Sequence, residues 1–172
     1  MLKRFLATGH DPISFAQRVV LGAVMLPHGA QKLLAWFGGY GFTGTMSYFT
    51  ETLHIPAPLA FLVIMSESLG SLGLILGLGT RLSAAGAAAT MIGAVITTHA
   101  QFGFFMNWFG ANAGEGFEYH LLALALALPL VLRGGGAWAL DRRLFAILQR
   151  RARTQSRVVD LANGDHTEEM LR

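Results

Sequence analysis

Not one of the 172 residues is cysteine. This excludes disulfides, thiolate nucleophiles, iron–sulfur ligation and covalent c-type haem attachment together. A redox role is left with a bound organic cofactor, a haem held by histidine, or a partner protein. Charge is scarce too: 13% of the residues are Asp, Glu, Lys or Arg, against roughly 25% in an ordinary soluble domain. The sequence also lacks a phosphate-binding loop, a nucleophile with a base at fixed spacing and any internal repeat, which removes the common nucleotide and hydrolase readings.

What is present is apolar. Hydrophobic residues make up 53% of the chain, and four apolar runs approach the roughly 20 residues needed to cross a hydrocarbon core of about 30 Å. They cover about 13–36, 58–78, 82–105 and 117–132. Lipid offers backbone amides no partners, so each run is expected to be helical. The expected fold class is therefore an all-α membrane protein: a four-transmembrane-helix bundle over 1–144, with an amphipathic C-terminal helix at the start of a basic tail, 145–172. The first run is longer than a signal-peptide core, contains Arg18 and ends in LLAWFGG, so it is expected to be a retained helix.

Lys and Arg near helix ends favour the cytoplasmic side. Lys3, Arg4 and Arg18 precede or begin the first run, Arg81 follows the second, and Arg133, Arg142, Arg143, Arg150 and Arg151 follow the fourth; the connections at about 37–57 and 106–116 hold no Lys or Arg. Both termini are expected in the cytoplasm. In the first of those connections Met46, Phe49 and Leu53 repeat at helical spacing beside Glu51, the pattern of a short interfacial helix. In the second region Phe104, Phe105, Trp108 and Phe109 form an aromatic belt. After Gly134, the stretch GGGAWALDRRLFAILQRRAR sets Leu140, Leu144, Ile147 and Leu148 on one face and adds five arginines, as expected of a helix lying on anionic lipid; nucleic acid is the weaker reading. The polar tail VVDLANGDHTEEMLR is expected to be disordered.

Small residues recur at helical spacing, Ser66, Gly70, Gly73 and Gly77 in the second run and Ala85, Ala89, Gly93 and Thr97 in the third. Such stripes let membrane helices approach closely. Five polar side chains then stand out. At about 1.5 Å per residue, counted from the outer helix ends, Lys32 lies about 8 Å deep, His28 about 14 Å, Glu67 about 15 Å, His99 about 9 Å and His120 about 5 Å. A buried charge at mid-membrane costs about 2.5 to 3.5 kcal/mol on insertion scales, so Glu67 is expected to face a neighbour. Matching depth makes His28 its expected partner, with Lys32 one turn above, His99 nearby, and a kink at Pro27.

A carboxyl and an imidazole facing each other in low dielectric can exchange a proton near neutral pH. A quinone head needs such groups because its reduction takes up protons at two ring oxygens. His28, Glu67, Lys32 and His99 are therefore the candidate catalytic residues, with Glu118 and His120 as candidates for holding the cofactor. A b-type haem is disfavoured because His28 and His99 differ in depth by about 5 Å. No metal is expected, since His99, Glu118 and His120 would need a turn to converge. The same cluster also suits a proton or solute conduit, and the basic tail suits a noncatalytic anchor for soluble redox or stress-response partners.

The succession RVVLGAVMLPHGAQKL, SESLGSLGLILGLGTRLSA, MIGAVITTHAQFGFF and GEGFEYHLLALALALPLVLRGGGAWALDRRL resembles the DoxX family of small four-helix bacterial membrane proteins over about 13–144. The resemblance singles out His28, Gly29, Lys32, Glu67, Gly70, Gly77, Arg81, His99, Glu118 and Gly134. It implies a multi-pass subunit of a quinone-linked oxidoreductase in a bacterial inner membrane, with the bilayer, soluble redox proteins and a second copy of the chain as partner classes. Without cysteine, sulfur transfer on a thiol of this chain is excluded.

Overall fold

The computed structural model describes residues 8–169. Lys3 and Arg4, which carry part of the orientation argument, and the last three residues of the tail lie outside them. The described residues are all-α. Helix α1 spans Pro12–Leu34, α2 spans Gly41–Ser47 and continues as a π-helical turn, Tyr48–Thr52, α3 spans Ala57–Leu76 and α4 spans Thr80–Phe102. Helices α5, Glu118–Arg133, and α6, Leu140–Glu169, complete the chain.

Among the described residues two helices, not four, are long and apolar enough to cross a membrane: α3 and α4, with mean hydropathies of 2.0 and 1.3. The expectation of four transmembrane helices is corrected for two physical reasons. Helix α1 has the length but dilutes its apolar residues with Gln17, Arg18, His28, Gln31 and Lys32. Helix α5 has 16 residues, about 24 Å of rise against a core of about 30 Å. Buried residues make up 33% and 28% of the most apolar windows of α3 and α4, whereas the core helix of a soluble protein would be mostly buried.

Asp11 caps α1 by accepting from the amides of Ile13 (3.0 Å) and Ser14 (3.2 Å), and Pro12 at the first position needs no hydrogen bond for its nitrogen. The helix runs unbroken through Pro27 and ends at Ala35, which turns left-handed (φ 60°). Helices α1, α3, α4 and α5 share one core of Leu21, Met25, Leu74, Ala84, Ala87, Ala88, Met91, Ala123, Ala127 and Leu130. The face of α4 that packs is thus Ala84, Ala87, Ala88 and Met91. The expected stripe of Ala85, Ala89, Gly93 and Thr97 is not packed: Ala85, Ala89 and Thr97 are exposed, and a Cβ on Gly93 would meet nothing within 4 Å.

The α3–α4 turn is held by a clasp of charged side chains. Arg18, 1% exposed, donates to the carbonyls of Gly135 (2.8 Å), Leu74 (2.9 Å), Ile75 (2.5 Å) and Ala137 (3.1 Å). Two of these are last-turn carbonyls of α3, which have no partner within their own helix. Asp141, also buried, accepts from the amides of Gly79 (2.7 Å) and Thr80 (2.9 Å) and so caps α4 from α6. Gly77 and Gly79 turn the chain between them with φ of 69° and 60°. Arg81 reaches the carbonyls of Val131 (2.7 Å) and Leu132 at the end of α5. Arg18 and Arg81, read from sequence as topology markers, are helix-end donors.

The expected short helix after α1 is present as α2, with Glu51 exposed. Phe105, Trp108 and Phe109 of the aromatic loop are exposed as well. Helix α6 carries exposed Arg142, Arg143, Arg150 and Arg151 and continues to Glu169, so the backbone is helical through 158–169, where the sequence predicts disorder.

Candidate functional site

Helices α1 and α3 cross at Gly29. A Cβ there would collide with the carbonyl of Glu67 and the Cα of Ser68, so only glycine permits the approach. The Ser68 hydroxyl donates to the Gly29 carbonyl at 3.1 Å, and the Ser71 hydroxyl to the Glu67 carbonyl at 2.5 Å. The crossing delivers the Glu67 side chain to α1. Lys32, one turn beyond His28, closes on it with Nζ 2.5 Å from Oε2, the side chains being 24% and 6% exposed. Glu67 is therefore paired with Lys32. Among the described residues no hydrogen bond or ion pair joins it to His28, the partner expected from depth, because the Gly29 contact puts the carboxylate toward the next turn of α1.

Glu67 sits in a π-helical turn, Ser66–Gly70, and His99 in another, Val95–His99. An extra residue per turn rotates the side chains that follow it, and such turns are frequent at functional sites. His99 Nδ1 lies 2.8 Å from the carbonyl of Glu115; a carbonyl only accepts, so that nitrogen carries the hydrogen. His99 Nε2 is thereby left as the basic nitrogen of the neutral ring. The His99 and His120 rings lie 4.2 Å apart between centroids, tilted by 44°. His120 is 6% exposed, and its Nδ1 is buried with no hydrogen-bond partner among the described residues.

His28 stands between the two groups, its ring 6.3 Å from that of Tyr119, whose hydroxyl donates to Met25 Sδ at 3.4 Å. One cavity of about 1,320 Å³ touches His28, Lys32, Glu67, His99, Tyr119 and His120, and its wall is mainly apolar. Tyr119 is the member that sequence reading did not select. Its only signal was adjacency to His120 in EYH, which does not distinguish it from a belt aromatic.

Glu118 takes a different place. Its Oε2 accepts from the Met106 amide at 3.3 Å, while Glu115 Oε2 accepts from the Asn107 amide at 2.6 Å. The two carboxylates fold the aromatic loop back on the start of α5, with backbone bonds from Phe117 to Gly103 and from Glu118 to Phe104. Glu118 is outside the cavity wall, and the structure brings the other five candidates together there. Among the described residues no group of three or more His, Asp or Glu is placed to hold a metal ion.

The comparisons with known proteins agree with this arrangement at the level of family. The protein named "Putative oxidoreductase CatD" from Bacillus subtilis (strain 168) is 29% identical over 128 residues, which cover 74% of this chain and 84% of that one. No solved structure gives a significant match. The family model DoxX matches residues 13–100, slightly more than half of the chain and nearly all of the α1–α4 segment that holds Lys32, Glu67 and His99. The chain belongs to the DoxX family.

Proposed function

We propose that this protein is a quinone-linked redox subunit of a bacterial inner-membrane complex. The observation that carries the reading is the partly buried Lys32–Glu67 pair on the wall of the same cavity as His120, a buried histidine whose Nδ1 has no hydrogen-bond partner among the described residues. The oxidoreductase name of the Bacillus relative supports the reaction class. A quinone supplies two-electron chemistry coupled to proton uptake at two ring oxygens. Such a head would find Lys32 as a hydrogen-bond donor to one oxygen and the His120 imidazole as a group that can deliver a proton to the other, within a mainly apolar wall. Glu67 orients Lys32 through their ion pair, and His99 and His28 line the same cavity.

Orientation follows from the clasp. Asp11, Ala137, Gly77 and Asp141 meet at one end through the bonds Ala137 N to Asp11 O and Asp141 N to Gly77 O. Arg18, Arg81, Arg133, Arg142 and Arg143 belong to that end, which supports a cytoplasmic position for it. Exposed arginines on α6 there suit either anionic lipid or an acidic soluble redox partner. They also favour a second reading, a noncatalytic anchor.

The test is retention. Wild type purified in mild detergent should release quinone on solvent extraction in near-stoichiometric amount, whereas Glu67→Gln and His120→Gln should release little. Replacing Arg142, Arg143, Arg150 and Arg151 with Ser should leave retention intact and abolish partner recruitment. Equal retention by wild type and the site variants, or none in any, would sink the quinone reading in favour of the anchor.

A further inference from the structure

The cavity does not stop at the polar cluster. It continues as a groove between α3 and α4 down to Leu82 and Asp141. Gly86, Ala89 and Gly93 form the α4 side of the groove, and Leu72 and Leu82 stand beside it. From Gly93 to Leu82 the groove follows about 16 Å of helix at 1.5 Å per residue. Ala89 and Gly93 belong to the small-residue stripe that the bundle leaves unpacked, and a Cβ on Gly93 would meet open space, whereas Gly86 packs against Ser66 of α3 and floors the groove. Ala89 and Gly93 serve no helix contact here, so they leave room beside α4 for an apolar chain. The polar end supplies the second feature: His120, buried and with its Nδ1 lacking a hydrogen-bond partner among the described residues, is one of the residues lining the same cavity.

We infer that the α3–α4 groove holds the hydrocarbon tail of a membrane-dissolved amphiphile whose polar head lies against Lys32 and His120, with Gly93 and Ala89 setting how much of the tail is admitted. The inference rests on the quinone reading for the head and adds the tail site and its selectivity. An amphiphile fits better than a wholly apolar lipid because one end of the cavity carries an ion pair and the rest is apolar. It fits better than a water-soluble substrate because the groove runs along the two helices that meet lipid. The ligand then enters sideways from the bilayer, tail and head together.

The test uses the full chain in phosphatidylcholine nanodiscs with two photoreactive probes. One is an isoprenoid benzoquinone with a diazirine on its tail; the other is the same tail ending in an alcohol. Both should label α3 and α4 peptides lining the groove. Gly93→Leu and Ala89→Leu, which fill open space and leave the core untouched, should each reduce that labelling about tenfold. Glu67→Gln should reduce labelling by the quinone probe alone. Labelling that ignores both groove variants, or is spread evenly over exposed positions outside the groove such as Phe61 and Ile96, overturns the inference. Labelling that depends on Gly93 but is equal for the two probes and indifferent to Glu67 keeps the groove and removes the quinone. If Gly93→Leu instead converts a dimer to a monomer in subunit counting, with labelling unchanged, the groove belongs to a second copy and the inference falls.

Discussion

Lys32 and Glu67 form an ion pair largely removed from water, with the carboxylate the deeper partner. Removing one member of such a pair leaves an uncompensated charge and costs about 3 to 5 kcal/mol, whereas replacing both by apolar or neutral groups costs far less. Lys32→Met should therefore lower the thermal unfolding midpoint sharply, and Lys32→Met combined with Glu67→Gln should recover most of it. Equal midpoints for the single and double variants would show that the pair is not coupled. Asp11 shows the pH behaviour of a helix cap. Its carboxyl is held below the usual 3.8, first by the Ser14 hydroxyl and next by the Ile13 amide. A carboxyl depressed in the folded state contributes stability that is complete above its unfolded value and fades as pH falls through the folded one. Exchange protection of the Ile13 and Ser14 amides should accordingly fall as pH drops below 3.8, and Asp11→Asn, which keeps an acceptor without a titrating proton, should remove that dependence. Protection that still falls in Asp11→Asn would assign the effect to another group.

At the scale of elements, each helix end at the turn borrows a partner from elsewhere in the chain. The start of α4 has no capping side chain of its own, because Gly79 occupies the cap position. Asp141 of α6 supplies both acceptors from 61 and 62 residues away. Losing a cap costs about 0.5 to 2 kcal/mol, and the burial of Asp141 puts Asp141→Ala near the top of that range. Asp141→Asn should be intermediate, since one amide oxygen still accepts. An unfolding midpoint unchanged in Asp141→Ala would show that water replaces the cap. None of this clasp was legible in the sequence. Arg18 and Asp141 are one ordinary charge each, and their roles depend on carbonyls and amides brought together by the fold. The π-helical turns that aim Glu67 and His99 were hidden too, because a one-residue insertion in a helix leaves no mark on apolar periodicity. In SAAGAAATMIGA of α4 nearly every residue is small, so spacing could not decide which stripe packs and which stays open. Legible were the HG-x-x-K spacing, which sets His28 and Lys32 on one face, and Gly29 as a point of close approach.

For the whole molecule, residue types carried the argument correctly and lengths carried it too far. Counting apolar runs gave four spans, yet a run can be long and diluted, as in α1, or apolar and short, as in α5. The depth argument still gathered His28, Lys32, Glu67, His99 and His120 at one cavity, because the cost of a polar group away from water draws such groups together wherever the helices end. It paired the wrong two, since depth along an axis says nothing about rotation around it. Which end of the α3–α4 hairpin faces the cytoplasm is open to a direct test, and the cysteine-free chain has no background thiol to interfere. Leu78 lies in the α3–α4 turn and Asn112 in the loop beyond α4; both are exposed. With Arg18 and Arg81 at the turn end, a membrane-impermeant maleimide added to intact spheroplasts should label Asn112→Cys at once and Leu78→Cys only after permeabilisation. The reverse pattern would put the clasp outside and invert the side from which a soluble partner reaches α6. Labelling of both positions from the same side would mean that the hairpin does not cross the bilayer, and the lateral route into the α3–α4 groove would fail with it.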